Sequence, residues 1–383
     1  MTDPANYKPA TSAEKERTER TLIGVVNQSP PIDLTVPYLD SWLRGKTILI
    51  TGGASGFGEG FFRRWAAAGA TVIIGDINSA RGSALVSEVR QKTGNPNLQF
   101  LHVDVTNWQQ QVDFFHAALK LSPHGGIDSV VANAGVTDPI DPPFWEPLGL
   151  DVDTPKPPNL KCLEVNLIGV TYTTYLAQYY LARNPDSAIV DASAQPAPGR
   201  RDRHLLLLGS IASLAAIPGQ PLYGAAKHGV LGLFRSLRST AVAGGLRINM
   251  LCPYFIDTPL LYGASRLLLA GGAMGKPEDV VEAGTRMMAD SRIIGRSLVV
   301  GPKVKFSREN EFEVVPRSDP EGVETAMWEA YADDFEIVEA FSERFVRLLN
   351  GIEKAKGWAG LALDVLAAVT YPVRNALGLK KWF

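Results

Sequence analysis

The stretch from Thr47 to Gly58 constrains the fold more than any other in these 383 residues. It reads Thr47-Ile-Leu-Ile-Thr51, a short apolar strand, then Gly52-Gly-Ala-Ser-Gly-Phe-Gly58, a glycine-rich turn, then a helix over residues 59 to about 68. A second apolar strand follows at 71–75, which makes a strand–helix–strand unit. Parallel strands joined in this way need a crossover helix and cover on both faces. The alternation goes on: helix 80–92, strand 98–103, helix 108–120, strand 128–132, a long helix 160–183 and strand 204–208. Next come the helix that carries Tyr223, a strand at 247–251, a helical, glycine-interrupted stretch at 260–273, a helix at 277–289 and a last strand at 297–300. The predicted fold is α/β, a single doubly wound Rossmann domain with a parallel sheet.

That domain spans residues 45–302 and carries two appendages. Residues 1–44 are polar, then interrupted by Pro30, Pro31 and Pro37, and read as an N-terminal arm lying on the domain. Residues 303–383 turn charged, then hold a helix expected around 325–349 and an apolar tail, and read as a mainly helical C-terminal extension. Residues 184–203 are polar and contain prolines, so a surface loop is expected there.

The glycine turn closes one strand and opens one helix, which is where a dinucleotide pyrophosphate binds. Glycine lets the backbone approach the phosphates, and the helix N-terminus supplies N–H groups and a favourable dipole. Asp76 ends the second strand eighteen residues after Gly58, where a carboxylate can accept from both ribose hydroxyls and repel a 2′-phosphate. NAD is therefore expected over NADP, and neither Ser55 nor Ile77 supplies a phosphate-binding cation; Arg81 is the residue that could dissent. A strand-end turn aspartate without a ligand is the plain alternative.

Tyr223 and Lys227 stand four residues apart on a predicted helix, so they share one face. An ammonium beside a phenol favours the phenolate and brings its proton exchange toward neutral pH. Alone, this spacing is as well explained by an amphipathic pair.

Taken together, Thr51–Gly58, the pair Asp104-Val105, Asn133-Ala134-Gly135, Asn166, Ser210 and Tyr223-x-x-x-Lys227 resemble the short-chain dehydrogenase/reductase family over about 46–302. Ser210 lies thirteen residues before Tyr223, the family's usual separation, and the segment from Pro157 to Gly169 is similar to fungal members related to 15-hydroxyprostaglandin dehydrogenase. The resemblance implies Tyr223 as general acid/base for hydride exchange between a secondary alcohol and a nicotinamide. It implies Lys227 as the group that lowers the phenol pKa and holds the nicotinamide ribose, and Ser210 as the donor to the substrate oxygen. Asn166 would hold a water leading to Lys227. For the cofactor it implies Thr51, Gly52, Ser55, Gly56, Phe57 and Gly58 at the pyrophosphate. It puts Asp76 and Ile77 at the adenosine ribose and Asp104 and Val105 at the adenine. Asn133, Ala134 and Gly135 form the pocket floor. Pro253, Ile256 and Thr258 reach over the nicotinamide. Asn133 has a structural reading too, as a tie between neighbouring strands. Two features depart from the family: the long 166–210 interval and the terminal extensions.

Composition excludes several classes. A net charge of −2 with scattered basic residues gives no footprint for nucleic acid. Two cysteines, Cys162 and Cys252, are too few for a disulfide framework or a zinc site, so a reducing, cytoplasmic setting and no metal are expected. The first twenty residues lack the apolar core of a secretory signal. Residues 358–371 hold Asp364 and stop at Pro372, too short for a transmembrane helix; Trp358, Leu361, Leu363, Leu366 and Val369 read as a core stripe or as a peripheral membrane contact.

Large apolar side chains follow the Asn133-Ala-Gly segment (Phe144, Trp145) and fill the segment 260–274 after the strand at 247–251 (Leu261, Tyr262, Leu267, Leu268, Leu269). A bulky apolar secondary alcohol or its ketone is the expected substrate. The competing readings are an NADPH-dependent ketoreductase of secondary metabolism and a cofactor-binding scaffold without turnover, against which the intact Ser210, Tyr223 and Lys227 speak. A homodimer or homotetramer is expected through the helices at 160–183 and after Tyr223.

Overall fold

The computed structural model describes residues 28–138, 157–238, 245–258, 274–307 and 321–331, and the single positions 348 and 370. Within them the chain forms one eight-stranded sheet in the order β3-β2-β1-β4-β5-β6-β7-β8. The strands are β1 Thr47–Thr51, β2 Thr71–Asp76, β3 Leu98–His102, β4 Ser129–Ala132, β5 His204–Leu208, β6 Arg247–Pro253, β7 Ser297–Phe306 and β8 Val323–Glu329. Pairing is parallel from β3 through β7, and only β8 runs antiparallel. The helices are α1 Gly56–Ala67, α2 Ser79–Thr93, α3 Trp108–Leu121, α4 Val170–Leu181, α5 Pro221–Arg238 and α6 Pro277–Ala289.

Local chemistry explains the boundaries. Asn78 caps α2 by accepting from the Arg81 N–H at 3.0 Å, and Gly94 ends it at φ +68°, the left-handed region that a Cβ disfavours. Asn107 caps α3 in the same manner, and Pro277 opens α6 where no donor is needed. Strand β1 is buried on both faces. Ile48 and Ile50 enter a core with Phe61, Trp65, Val280 and Met287, while Leu49 enters a second core with Phe115, Ala177, Val230 and Phe234. In the first core α1 and α6 lie very close: a Cβ on Gly284 would stand 2.3 Å from Phe61, and the Trp65 indole donates to Thr285 at 3.0 Å.

Three expectations change. The helix expected to begin near 325 starts instead as strand β8, because the edge of β7 offers unpaired backbone groups that this segment satisfies. Strand β7 itself runs past Pro302 to Phe306, so the sheet does not stop at residue 302. The long helix expected at 160–183 is a short turn, Lys161–Leu163, a π-helical turn, Glu164–Gly169, and then α4. The stretches at 260–273 and 358–371, the loop with Phe144 and Trp145, and the rest of the 325–349 helix lie outside the described residues.

The expected surface loop at 184–203 is anchored by buried ends. Asn184, Asp202 and Arg203 are 3, 4 and 2% exposed. Asp202 accepts from Arg247 Nη2 at 2.7 Å and from Lys46 Nζ at 2.8 Å, beneath the N-terminal ends of β1, β5 and β6. Burial alone would raise the Asp202 pKa, but Arg247 and Lys46 hold it well below the usual carboxylate range. Burial, with Arg247 nearby, likewise keeps His204 well below its ordinary value and neutral. Residues 29–42 lie on the domain: Ser29 Oγ donates to Ile294 O at 3.2 Å, and Leu34 and Trp42 pack on the first core. Among the described residues no helix is long and apolar enough to cross a membrane.

Asp202→Ala would strand two buried cations and should cost about 3–5 kcal/mol, read by denaturant or thermal unfolding. Acid should act in the same direction. The unfolded chain protonates His204 below about pH 6.5 and Asp202 below about pH 3.9 while the folded chain resists both, so stability is lost progressively as pH falls through this range. A melting temperature that stays constant down to pH 4 would contradict this.

Candidate active site

Strand order reverses between β1 and β4, and the crevice at their C-terminal ends is where a doubly wound sheet binds ligands. A cleft of about 350 Å³ opens there. One wall is the glycine turn. Gly52 sits at φ +63°, and a Cβ there would stand 2.7 Å from Ala134 Cα, so no side chain fits between β1 and β4 at this level. Gly56 sits at φ +55° and faces open space, and Gly58 would push a Cβ to 2.3 Å from the Gly52 carbonyl. The first intrahelical bond of α1 runs from Glu59 N to Ser55 O at 3.1 Å, so the preceding turn of N–H groups points at the cleft beside Ser55 and Phe57. These residues fit a dinucleotide pyrophosphate.

Asp76 stands at the cleft edge. It accepts from Ala54 N and Asn78 N, each at 3.0 Å, which orients the carboxylate and leaves lone pairs for ribose hydroxyls. Ile77 beside it is 66% exposed and lines the cleft, whereas Arg81 donates to Glu59 at 3.0 Å. Asp104 and Val105 also line the cleft. Burial would raise the Asp104 pKa, but hydrogen bonds from Thr106, with Lys161 and His102 nearby, bring it below the usual range. Thr51 Oγ1 accepts from Asn133 N at 3.1 Å, and Asn133 Nδ2 donates to the carbonyls of Thr51 at 3.0 Å and Gly52 at 2.8 Å. Asn133 thus ties β1 to β4 while Ala134 and Gly135 continue as the cleft floor.

At the other end stand Tyr223 and Lys227, one turn apart on α5, both lining the cleft. Lys227 Nζ lies 5.6 Å from the Tyr223 ring centroid and donates to Leu208 O at 2.8 Å. Burial lowers the Lys227 pKa to about 8. With protein groups alone around it, the Tyr223 phenol is raised by burial, and the Ser210 hydroxyl beside it pulls the other way. Burying a phenolate costs more than the Ser210 hydrogen bond returns, so the net direction with protein groups alone is upward. Ser210 follows β5 and caps a short turn, Ile211–Ser213, its Oγ accepting from Ala212 N at 3.1 Å.

Asn166 lies in the π-helical turn, fully buried. Its amide is committed to Val136, accepting from the N–H at 2.8 Å and donating to the carbonyl at 2.7 Å. Thr258 lines the cleft; Pro253 ends β6 and Ile256 pairs with Gly275, and neither is among the residues lining the cleft. Sequence reasoning missed Lys161, which lines the cleft 4.0 Å from Asp104, and Asp138, which accepts from Leu222 and Tyr223 N–H groups. Lys161 was legible as a polar residue opening a helix; Asp138 carried no local signal. Among the described residues no cluster could hold a metal ion.

Comparison with known proteins agrees with this geometry. The family model described as short chain dehydrogenase matches residues 46–266. A 5′-hydroxyaverantin dehydrogenase of Dothistroma septosporum is 35% identical over 285 residues, 71% of this chain and 89% of the relative. An NADP-dependent dehydrogenase M3 of a Phoma species is 32% identical over 304 residues, 77% of this chain and 84% of the relative. The 15-hydroxyprostaglandin dehydrogenase [NAD(+)] of Mus musculus is 29% identical over 222 residues, 57% of this chain and 71% of the relative. With its nucleotide turn, its Tyr223–Lys227 pair and this match in hand, the chain belongs to the short-chain dehydrogenase family and is an oxidoreductase acting on CH–OH groups.

Proposed function

We propose that this enzyme interconverts a bulky, apolar secondary alcohol of fungal secondary metabolism and its ketone, with NAD as the hydride partner. The observation that carries the reading is one cleft with Asp76 at one end and Tyr223 and Lys227 at the other, with the Ser210 hydroxyl beside Tyr223. Nicotinamide, when bound, supplies or takes the hydride. The protein's own work is to place the carbinol oxygen and to move its proton. Tyr223 takes the hydroxyl proton in oxidation and returns it in reduction. Ser210 donates to the oxygen as charge develops on it, and Lys227, buried and held by Leu208, keeps a positive end beside the phenol.

The carboxylate of Asp76 supports NAD, since it would stand against a 2′-phosphate, and Arg81 is engaged by Glu59. An NADPH-dependent ketoreductase is the second reading, and the NADP-dependent Phoma relative favours it. The apolar residues after Asn133-Ala-Gly and after β6 support a bulky substrate, as does the 5′-hydroxyaverantin of the Dothistroma relative. Assembly as a homodimer or homotetramer is supported by the exposed stripe Ile168, Tyr175 and Tyr179 on the outer face of the π-turn and α4.

Tyr223→Phe should lower turnover by roughly 10²–10⁴-fold with NAD affinity nearly unchanged. Steady-state rates and a cofactor titration test this together; full activity in the variant would refute the mechanism. Asp76→Ala should shift the NADP-to-NAD preference toward NADP by about tenfold, the equivalent of about 1.4 kcal/mol. A parent enzyme that already prefers NADP would decide for the second reading. Light scattering should give a mass that is a multiple of the 41.4 kDa chain, and Tyr175→Glu should reduce it.

A further inference from the structure

We propose that Asp138 is a positioning residue that holds Tyr223 in register with the cleft, an inference that rests on the reading of Tyr223 above. Asp138 is 6% exposed and lies three residues past Gly135, on the segment that leaves β4. Its Oδ1 accepts the Tyr223 N–H at 2.6 Å and its Oδ2 accepts the Leu222 N–H at 3.0 Å. These are the donors that the start of α5 needs to satisfy. Pro221 has no N–H, and Gly224 donates to Gln220 O at 2.9 Å, so the carboxylate completes the first turn from a segment distant in sequence. A charged acceptor at a helix N-terminus is also favoured by the helix dipole.

The segment that bears Asp138 is itself fixed. Two residues earlier, Val136 is held at both its N–H and its carbonyl by the buried Asn166 amide. The Cys162 thiol, one helical turn before Asn166, donates to Val136 O at 3.6 Å and lies beside the Asp138 carboxylate. A continuous set of bonds therefore runs from the π-helical turn through Val136 and Asp138 to the backbone of the acid/base residue. The phenol's position over the cleft depends on how far α5 slides or rotates about its axis, and Asp138 is what opposes both movements. In sequence, Asp138 is followed directly by the residues read as substrate-selecting, Phe144 and Trp145 among them.

The test uses the full chain with 9,10-phenanthrenequinone, a fused-ring diketone, as probe and NADH as reductant. One carbonyl takes the hydride and one proton to become a hydroxyl, and NADH becomes NAD. Sites are counted by NADH fluorescence titration, and kcat is expressed per NADH-binding site. Asp138→Ala should lower kcat per site by up to about 10²-fold, as a small displacement of a catalytic group does, with KM for the quinone and NADH affinity little changed. Asp138→Asn, whose single carbonyl oxygen can accept one of the two N–H donors, should recover part of the loss. An Asp138→Ala enzyme that keeps the parent kcat per site, or that loses NADH binding in proportion to activity, would overturn the proposal. Should the alanine variant fail to fold, the same split of kcat against KM is read on Asp138→Asn. Tyr223→Phe is run alongside. If it is active, or if the parent binds NADH and reduces no quinone, the reading of the site itself fails. If it is inactive while Asp138→Ala is fully active, only the role of Asp138 fails.

Discussion

The two halves of this molecule's site meet at one side-chain amide. Asn133 Nδ2 donates to the carbonyls of Thr51 and Gly52, and its backbone N–H donates to Thr51 Oγ1, so the last residues of β1 and β4 are held together where their hydrogen-bonded ladder ends. At that point the crossovers depart in opposite directions and the strands would otherwise diverge. The glycine turn hangs from one side of this junction and the segment 134–138 from the other. Gly58 is forced to be glycine partly by the same amide, since a Cβ there would stand 2.7 Å from Asn133 Nδ2.

A second, separate anchorage holds the opposite ends of the strands. Asp202, Arg247, Lys46 and Asp128 form a buried ionic cluster at the N-terminal ends of β1, β5 and β6, with Arg201 reaching Asp128 at 2.9 Å. Ion pairs of this kind need not stabilise more than a well-packed apolar cluster would, because desolvation offsets the attraction. They do fix which groups may meet, and so they fix the ends of the 184–203 insertion. The insertion therefore lengthens the chain far from the cleft and leaves the path from Asn166 to Ser210 undisturbed.

The extensions also take part in the domain. Glu329, at the end of β8, accepts from the Ile32 N–H at 2.8 Å and stands 3.4 Å from Arg296. Trp328 lies against Gly301, where a Cβ would approach its ring to 3.0 Å, and Gly301 backs Gly275, the partner of Ile256. Residues flanking the domain on both sides in sequence thus support β7 and its neighbours Gly275 and Ile256. Edge coverage of β7 has the further effect of removing a row of unpaired backbone groups.

Much of this was determined by sequence alone. β1, β5 and α6 fall at the residues predicted for them, because apolar runs, Pro277 and glycine turns act over a few positions. The residues of the cleft, from Gly52 and Asp76 to Tyr223 and Lys227, were legible because their spacing is set by strand and helix geometry. Only tertiary structure decided the rest. Val323–Glu329 has charges at both ends and reads as readily as helix; what makes it a strand is the open edge of β7. The Tyr223 phenol is shifted up because burial is a property of the whole fold and outweighs the Ser210 hydroxyl beside it. Asp138 reads as an ordinary loop aspartate until the fold brings the first turn of α5 to it, because a hydrogen bond between residues 85 apart leaves no periodic trace in the chain.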